Sequence, residues 1–307
     1  MLTFDRLKLV ANLNSISVTD EQPFEKTLKD DVLTSMKFYK KTPNLMIKID
    51  YIKREVVIEF TGKILGDRYP ELISINNIGQ CFRNIEKLGF CKFDMDLIMK
   101  AEVVSCDVTK DIPYREIHKL QAYIKAHISN YNKYLCRALK NGNLILEKNV
   151  TTKKMKKRMT VYDKGKEMNM ADNLNFVQDN SLQGAFDGKC RFEINLNSKE
   201  LIRQALGIGS NSLKDVLSST ENPIADFLEE SVKYKTDDSQ CSDWKSYQRL
   251  LVLQDCDFDM EKVEAKIRSL YKRGTKISEV LKPYRETFNQ LEGKVPNDFD
   301  KVLEMLR

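Results

Sequence analysis

Histidine is nearly missing from this 307-residue chain, which holds only His118 and His127. They stand nine residues apart, so they form no i, i+4 metal pair, and no His-hydrophobe-His triplet occurs. That argues against the two-histidine relaxases and transposases. Neither GxxxxGKS nor GxxxxGKT is present, so the chain lacks a P-loop and any sign of an ATP-driven motor. The seven cysteines (81, 91, 106, 136, 190, 241 and 256) form no CxxC and read as reduced, mostly buried intracellular thiols. No apolar run approaches the ~18 residues of a membrane span, and the opening MLTFDRLKLV carries charges where a signal peptide would not. Low-complexity segments are absent, and the single tryptophan, Trp244, reads as core.

What remains is a soluble, core-forming composition, 41% hydrophobic and 31% charged, with a net charge of +6 that weakly favours polyanions. The positive charge gathers in Lys148 to Glu167, KNVTTKKMKKRMTVYDKGKE. Arg158 to Tyr162 alternates polar and apolar residues and reads as a strand. A basic hairpin with Lys153, Lys154, Lys156 and Lys157 leads into it, and Lys164 and Lys166 follow. Nearby cations favour a phenolate, and the same cations hold phosphates. The stretch therefore offers a nucleophile, Tyr162, beside an anion site.

The rest of the chain reads as α+β. Strands are expected at Phe4–Leu13, Leu45–Asp50, Glu55–Phe60, Ala101–Val108, Leu144–Glu147 and Lys189–Leu196. Thr109 to Pro113 is read as a break, and Tyr114 to Lys140 as one long helix capped at Asn141-Gly142-Asn143. Beyond residue 206 the pattern is helical throughout, with helices near 211–219, 222–234, 242–254, 259–273, 276–290 and 297–306. The expected domains are an α+β region over 1–206 and an all-helical region over 207–307. EVVIEFTGKILG (55–66) is similar to CRFEINLNSKEL (190–201), and LTFDRLKLV (2–10) to VVSCDVTKD (103–111). Two related halves follow from that likeness, each with an Asp strand and a later Glu strand.

Carboxylates inside apolar strands are costly to bury unless they are paired or bound to metal. Asp107, Asp111 and Glu193 are of this kind, and neighbouring strands would bring Asp107 and Glu193 together as hard oxygen ligands for Mg2+ or Mn2+. The alternative is that each faces solvent or pairs with a basic residue such as Arg191. Both histidines read as structural.

The order SCDVTKD, helix, basic hairpin, TVYDKGKE and CRFEINLNS resembles the phage/plasmid replication protein II/X family, the replication initiators of filamentous phages and related plasmids. The resemblance covers about residues 1–206. Where that family has Arg-Ile-Asp, this chain has Ser105-Cys106-Asp107. The resemblance implies a Rep-type antiparallel-sheet catalytic region and a rolling-circle initiator that nicks and rejoins single-stranded DNA. Tyr162 would be its nucleophile, Lys164 the neighbour in a Tyr-x-Lys motif, and Asp107, Glu193 and Asp111 the metal-site acids. Lys153, Lys154, Lys156, Lys157, Arg158 and Lys166 would hold DNA. It further implies origin DNA, a host helicase and a polymerase as partners, the bacterial cytoplasm as location, no membrane, and room for a homodimer. The rival readings are a non-catalytic DNA-binding protein, such as a repressor or plasmid-maintenance factor, and an RNA-binding accessory protein.

Overall fold

The structure, a computed structural model, describes residues 1–151, 156–233, 241–271, 276–291 and 297–307. The chain forms two compact units, Met1–Pro113 with Thr152–Ile224, and Tyr114–Thr151 with Ala225–Arg307. The fold is mixed α+β, with a large antiparallel sheet and a helical C-terminal region. Among the described residues no helix is long and apolar enough to cross a membrane.

In chain order the first unit begins with β1 (Phe4–Asn12), β2 (Ile16–Val18), β3 (Glu25–Lys29), β4 (Val32–Lys40), β5 (Leu45–Asp50) and β6 (Glu55–Thr61). A 3-10 segment (Gly62–Glu71), α1 (Ile78–Glu86), β7 (Cys91–Phe93), α2 (Met95–Ile98) and β8 (Glu102–Pro113) follow. The chain then enters the second unit with α3 (Ile117–Ala126), β9 (Tyr134–Ala138) and β10 (Leu144–Lys148). It returns with β11 (Arg158–Asp163), α4 (Lys164–Met168), α5 (Ala171–Asp179), β12 (Lys189–Leu196), α6 (Lys199–Leu206) and α7 (Leu213–Ser218). The tail is α8 (Pro223–Ser231), α9 (Trp244–Asp255), α10 (Met260–Leu270), α11 (Ile277–Gln290) and α12 (Asn297–Leu306).

The sheet of the first unit runs β3-β4-β5-β6-β1-β8-β12-β11, with every neighbouring pair antiparallel. Alternation decides its two faces. Val56, Ile58 and Phe60 of β6, and Cys190, Phe192, Ile194 and Leu196 of β12, are fully buried on one face. There α1 packs, with Phe82 edge-on to Phe60 at 5.6 Å. The intervening residues Glu59, Arg191, Glu193 and Asn195 fall on the opposite face. The helix start expected at Ser198 is real, because its side chain accepts from Leu201 N, and the stop at Gly207 is a left-handed cap at φ +61°.

The order β6-β1-β8-β12 bears on the expected repeat. In the chain, β1 is followed by the antiparallel pairs β3–β4 and β5–β6, and β8 by β9–β10 and β11–β12. The first strands of the two sets are neighbours, and each is flanked on its outer side by its own last strand.

Trp244, expected in the core, is 67% exposed, and three expectations about the path of the chain change. First, β8 does not break at Thr109 but continues to Pro113, because residues 109–113 pair in register with Lys189–Glu193 of β12. Second, the long helix ends at Ala126. Asn141-Gly142 turns a hairpin between β9 and β10, with Gly142 at φ +88°, rather than capping a helix. Third, the compact units cut the chain elsewhere than at residue 206. The segment around α7 is stitched to the start of β8, through Leu213 N to Ala101 O and Val103 N to Asn211 O, both 2.8 Å. The segment 114–151 belongs with the tail helices, where Lys125 pairs with Asp259 at 2.6 Å and Ser129 N bonds Ser231 O at 2.8 Å.

Candidate active site

The polar face of the sheet gathers the chemistry. Register places Arg6 of β1 opposite Asp107 of β8, and Asn195 of β12 on the other side of the same Asp107. Glu193 stands opposite Thr109, Arg191 opposite Asp111, and Tyr162 of β11 opposite Arg191. These strands alternate, so the side chains share one face.

One end of this face is roofed. Tyr69 of the 3-10 segment packs with Met168, Phe176, Val177, Leu182 and Phe186 from α4, α5 and the loop after α5. Beneath this cluster Arg191 is wholly buried. It donates to both Asp111 oxygens at 2.6 and 2.8 Å and to the Tyr69 hydroxyl at 3.0 Å, and it pairs with Asp5 at 3.2 Å. A register shift between Phe4 and Arg6 makes Asp5 the extra residue of a bulge. Lys164 is also buried, and it donates to the Tyr69 hydroxyl at 2.8 Å and to Glu167. Burial would raise Asp5, but Arg191 and Lys164 offset it and hold the carboxyl below its ordinary range. Burial, then the Arg191 charge, lowers Lys164. Lys164, the expected catalytic neighbour of Tyr162, is therefore held in a buried polar network. Gly165 is required beside it, since a Cβ there would sit 2.9 Å from the Phe186 carbonyl oxygen.

Towards the middle of the face, Arg6 binds Asp107 through two bonds at 2.8 and 3.1 Å and reaches Glu59 at 3.0 Å and Ser105 at 2.9 Å. Asn195 donates to the same Asp107 at 2.6 Å. Of the three acids expected to hold Mg2+ or Mn2+, two thus commit both oxygens to guanidinium groups: Asp107 to Arg6, and Asp111 to Arg191. They share a face with Glu193, but they do not converge on a common point as a ligand set. No cluster of three or more His, Cys, Asp or Glu suited to a metal occurs among the described residues. As arranged, these residues do not fit a divalent ion.

Glu193 is the acid left without a cationic partner of this kind. Burial, then the neighbouring carboxylates Asp107 and Asp5, push its carboxyl up to about 8. The Tyr162 hydroxyl donates to its Oε2 at 3.3 Å. The Tyr162 ring is buried, with the Lys164 ammonium 5.9 Å from its centroid. Burial, then the charge of Glu193, hold the phenol well above its ordinary range. The expected ease of ionisation is reversed, first by burial and then because a carboxylate rather than a lysine stands at the hydroxyl. Glu193 is the carboxyl in hydrogen-bond contact with the Tyr162 hydroxyl.

Of the DNA-binding candidates, Lys153 and Lys154 lie outside the described residues. Lys156 and Lys157 are half-buried just before β11, while Arg158 and Lys166 are exposed. Arg158 stands opposite Asn195 at the open end of the face. His127 stacks on Tyr123 at 4.1 Å between ring centres, with its Nδ1 2.8 Å from the Tyr123 carbonyl oxygen, a structural placement. The sequence reading missed Asp5, Arg6, Glu59, Tyr69 and Asn195 as parts of the site. Strand alternation alone could have placed Arg6, Glu59 and Asn195 on a polar face. Comparison with protein-family models and with curated proteins finds no match to this chain.

Proposed function

We propose that the chain nicks and rejoins single-stranded DNA at a replication origin, with Tyr162 as the nucleophile and Glu193 as its general base. The observation that carries this reading is the direct 3.3 Å contact between a tyrosine hydroxyl and a carboxyl raised to about 8, on adjacent strands of a polar sheet face. A carboxylate of that basicity takes a phenolic proton far better than an ordinary glutamate. As the Tyr162 oxygen bonds to phosphorus, its proton passes to Glu193 and the bond to the 3′ oxygen breaks. That oxygen takes a proton from water and leaves as a 3′-hydroxyl. The 5′ end stays on Tyr162 as a phosphodiester, a covalent intermediate that a 3′-hydroxyl can later displace. Arg158, with the lysines before β11, supplies positive charge at the open end. The order of motifs over residues 1–206 supports a rolling-circle initiator, with origin DNA, host helicase and polymerase as partners.

The burial of Tyr162 favours a second reading, DNA binding without cleavage. The deciding experiment incubates the protein with a library of origin-like single strands, with and without Mg2+ or Mn2+, and maps any covalent adduct by peptide sequencing. An adduct on Tyr162 that disappears in Tyr162→Phe, with binding retained, supports nicking. Tight, specific binding with no adduct under any condition supports the second reading.

A further inference from the structure

The polar face does not stop at the candidate active site. It continues across β1, β6 and β5 to β4, and its far end carries an arrangement the proposed chemistry does not use. Lys37 of β4 and Lys48 of β5 stand directly opposite each other, and both are exposed. Like charges directly opposite on a sheet destabilise it. Neither forms an ion pair among the described residues. Glu25 of β3 faces Lys37 from the other side. Lysines that guard a sheet edge from aggregation are common, but β4 and β5 are interior strands, with β3 outside them. The next residue on this face of β4 is Tyr39, which is 59% exposed and stands opposite Met46. Its chain neighbour Phe38 points the other way, packed on Phe90 at 4.3 Å. Alternation places Tyr39 on the polar face, where it stands in solvent beside Lys37 and Lys48.

We infer that Tyr39, with Lys37 and Lys48, forms a stacking platform for single-stranded DNA that continues the strand engaged at Tyr162. An exposed aromatic ring flanked by cations is what a single strand needs: a π face for a base and charge for the adjoining phosphates. A duplex hides its base faces and gains nothing from Tyr39. Row by row the path is continuous, because Tyr39 and Met46 lie in register with Glu59, Lys8 and Ser105. Six interstrand steps separate β11 from β4. At ~4.8 Å per step that is about 29 Å across the strands; the Tyr39 row meets β8 at Ser105 and the Tyr162 row meets it at Asp111, about 20 Å along the strand, so the direct span is about 35 Å, or about ten nucleotides at ~3.4 Å each. This inference takes its choice of ligand from the proposed nicking reaction.

The test is equilibrium binding, by fluorescence anisotropy, of labelled dT20 and of a labelled 20-base-pair duplex to the full chain carrying Tyr162→Phe, so that no step of the readout depends on cleavage. Tyr39→Ala should weaken dT20 binding roughly 5- to 150-fold and leave duplex binding unchanged. Tyr39→Phe should restore dT20 binding. The double change Lys37→Ala, Lys48→Ala should reduce the salt slope on dT20 by about 1.4, at ~0.7 for each phosphate contact of a single strand. Undiminished dT20 binding by Tyr39→Ala, an equal loss on the duplex, or failure of Tyr39→Phe to rescue would each overturn the platform. Absence of a Tyr162 adduct in the unmodified protein would overturn nicking alone, since these binding measurements do not depend on it.

Discussion

Replacing Glu193 by glutamine keeps the side chain's size and its contact with Tyr162 but removes the proton-binding carboxyl. Its carboxyl is raised from 4.5 to about 8 in the folded chain. Native protein therefore binds this proton more tightly than unfolded protein. Stability falls as pH rises from about 4.5 to about 8, and the loss is complete above that. At about 1.4 kcal/mol per pH unit the full gap is on the order of 5 kcal/mol. Partial access to water lowers the realised value to about 2–3 kcal/mol. Glu193→Gln should thus match the unmodified chain near pH 5 and exceed it at pH 9, by roughly 4–12 °C in melting temperature at ~2–4 °C per kcal/mol. Tyr162 does not confuse the comparison, because its phenol is held well above 10. The assay is thermal unfolding by circular dichroism of both proteins across pH 5–9. Equal melting curves at pH 5 and pH 9, or a Glu193→Gln protein less stable at both, would show an ordinary solvated carboxylate and remove the basis for general-base chemistry.

Four further outcomes follow from the same geometry. Single-turnover nicking should rise about tenfold per pH unit up to about pH 8 and then level, and Glu193→Gln should lower it by roughly 10²–10⁴-fold. Gly165→Ala forces a Cβ to 2.9 Å from a backbone oxygen and should lower stability by about 1–3 kcal/mol in denaturant titration, whereas Gly209→Ala, with nothing within 4 Å, should have little effect. Arg191→Ala leaves Asp111 and Asp5 without their main cation and should destabilise the chain by about 3–5 kcal/mol, with Arg191→Lys recovering part of it because an ammonium cannot make the two-point contact. Asp107→Asn should lower stability by loosening Arg6 and leave any effect of added Mg2+ or Mn2+ on nicking unchanged; loss of a metal-stimulated rate in this variant would restore Asp107 as a ligand.

Much of the fold was legible because its elements obey local rules. EVVIEF and CRFEINL alternate cleanly, and the tail helices carry apolar residues at helical spacing with Asp243 and Asp259 as caps. β3 was not legible, since all of Glu25–Lys29 is exposed and an edge strand with no buried face has no alternation to read. The long-helix reading failed because Ile128, Tyr131 and Leu135 continue the three- and four-residue spacing of α3, and only pairing with β10 marks Tyr134–Ala138 as a strand. The burial of Lys164 was out of reach for a different reason. It depends on Tyr69, 95 residues away, and on a roof formed by segments with no local signature of covering a sheet.

The same limit separates the acids. Three carboxylates in strands looked equivalent, and what distinguishes them is the residue across the sheet, which strand order alone supplies. Arg6 and Asp107 face each other at the centre of β6-β1-β8-β12, flanked by Thr61 on one side and Asn195 on the other. Two residues away on either side of that pair stand Glu59 and Glu193, in matching positions of the two halves. Glu59 faces Lys8 and binds it at 3.0 Å, and with Arg6 also in contact its carboxyl is held below the ordinary range despite burial. Glu193 faces Thr109, which cannot neutralise it, and its carboxyl is pushed up instead. Two matching glutamates held at opposite ends of the scale are the arrangement expected where one serves structure and the other moves a proton. A lysine at position 109 tests this directly. In Thr109→Lys the new ammonium can reach Glu193 as Lys8 reaches Glu59, which should lower its carboxyl and flatten the pH dependence of stability between pH 5 and pH 9. Nicking should fall with it, because a neutralised carboxylate is a poor base. If Thr109→Lys flattens the stability profile yet nicks at the unmodified rate, Glu193 is not the base that activates Tyr162.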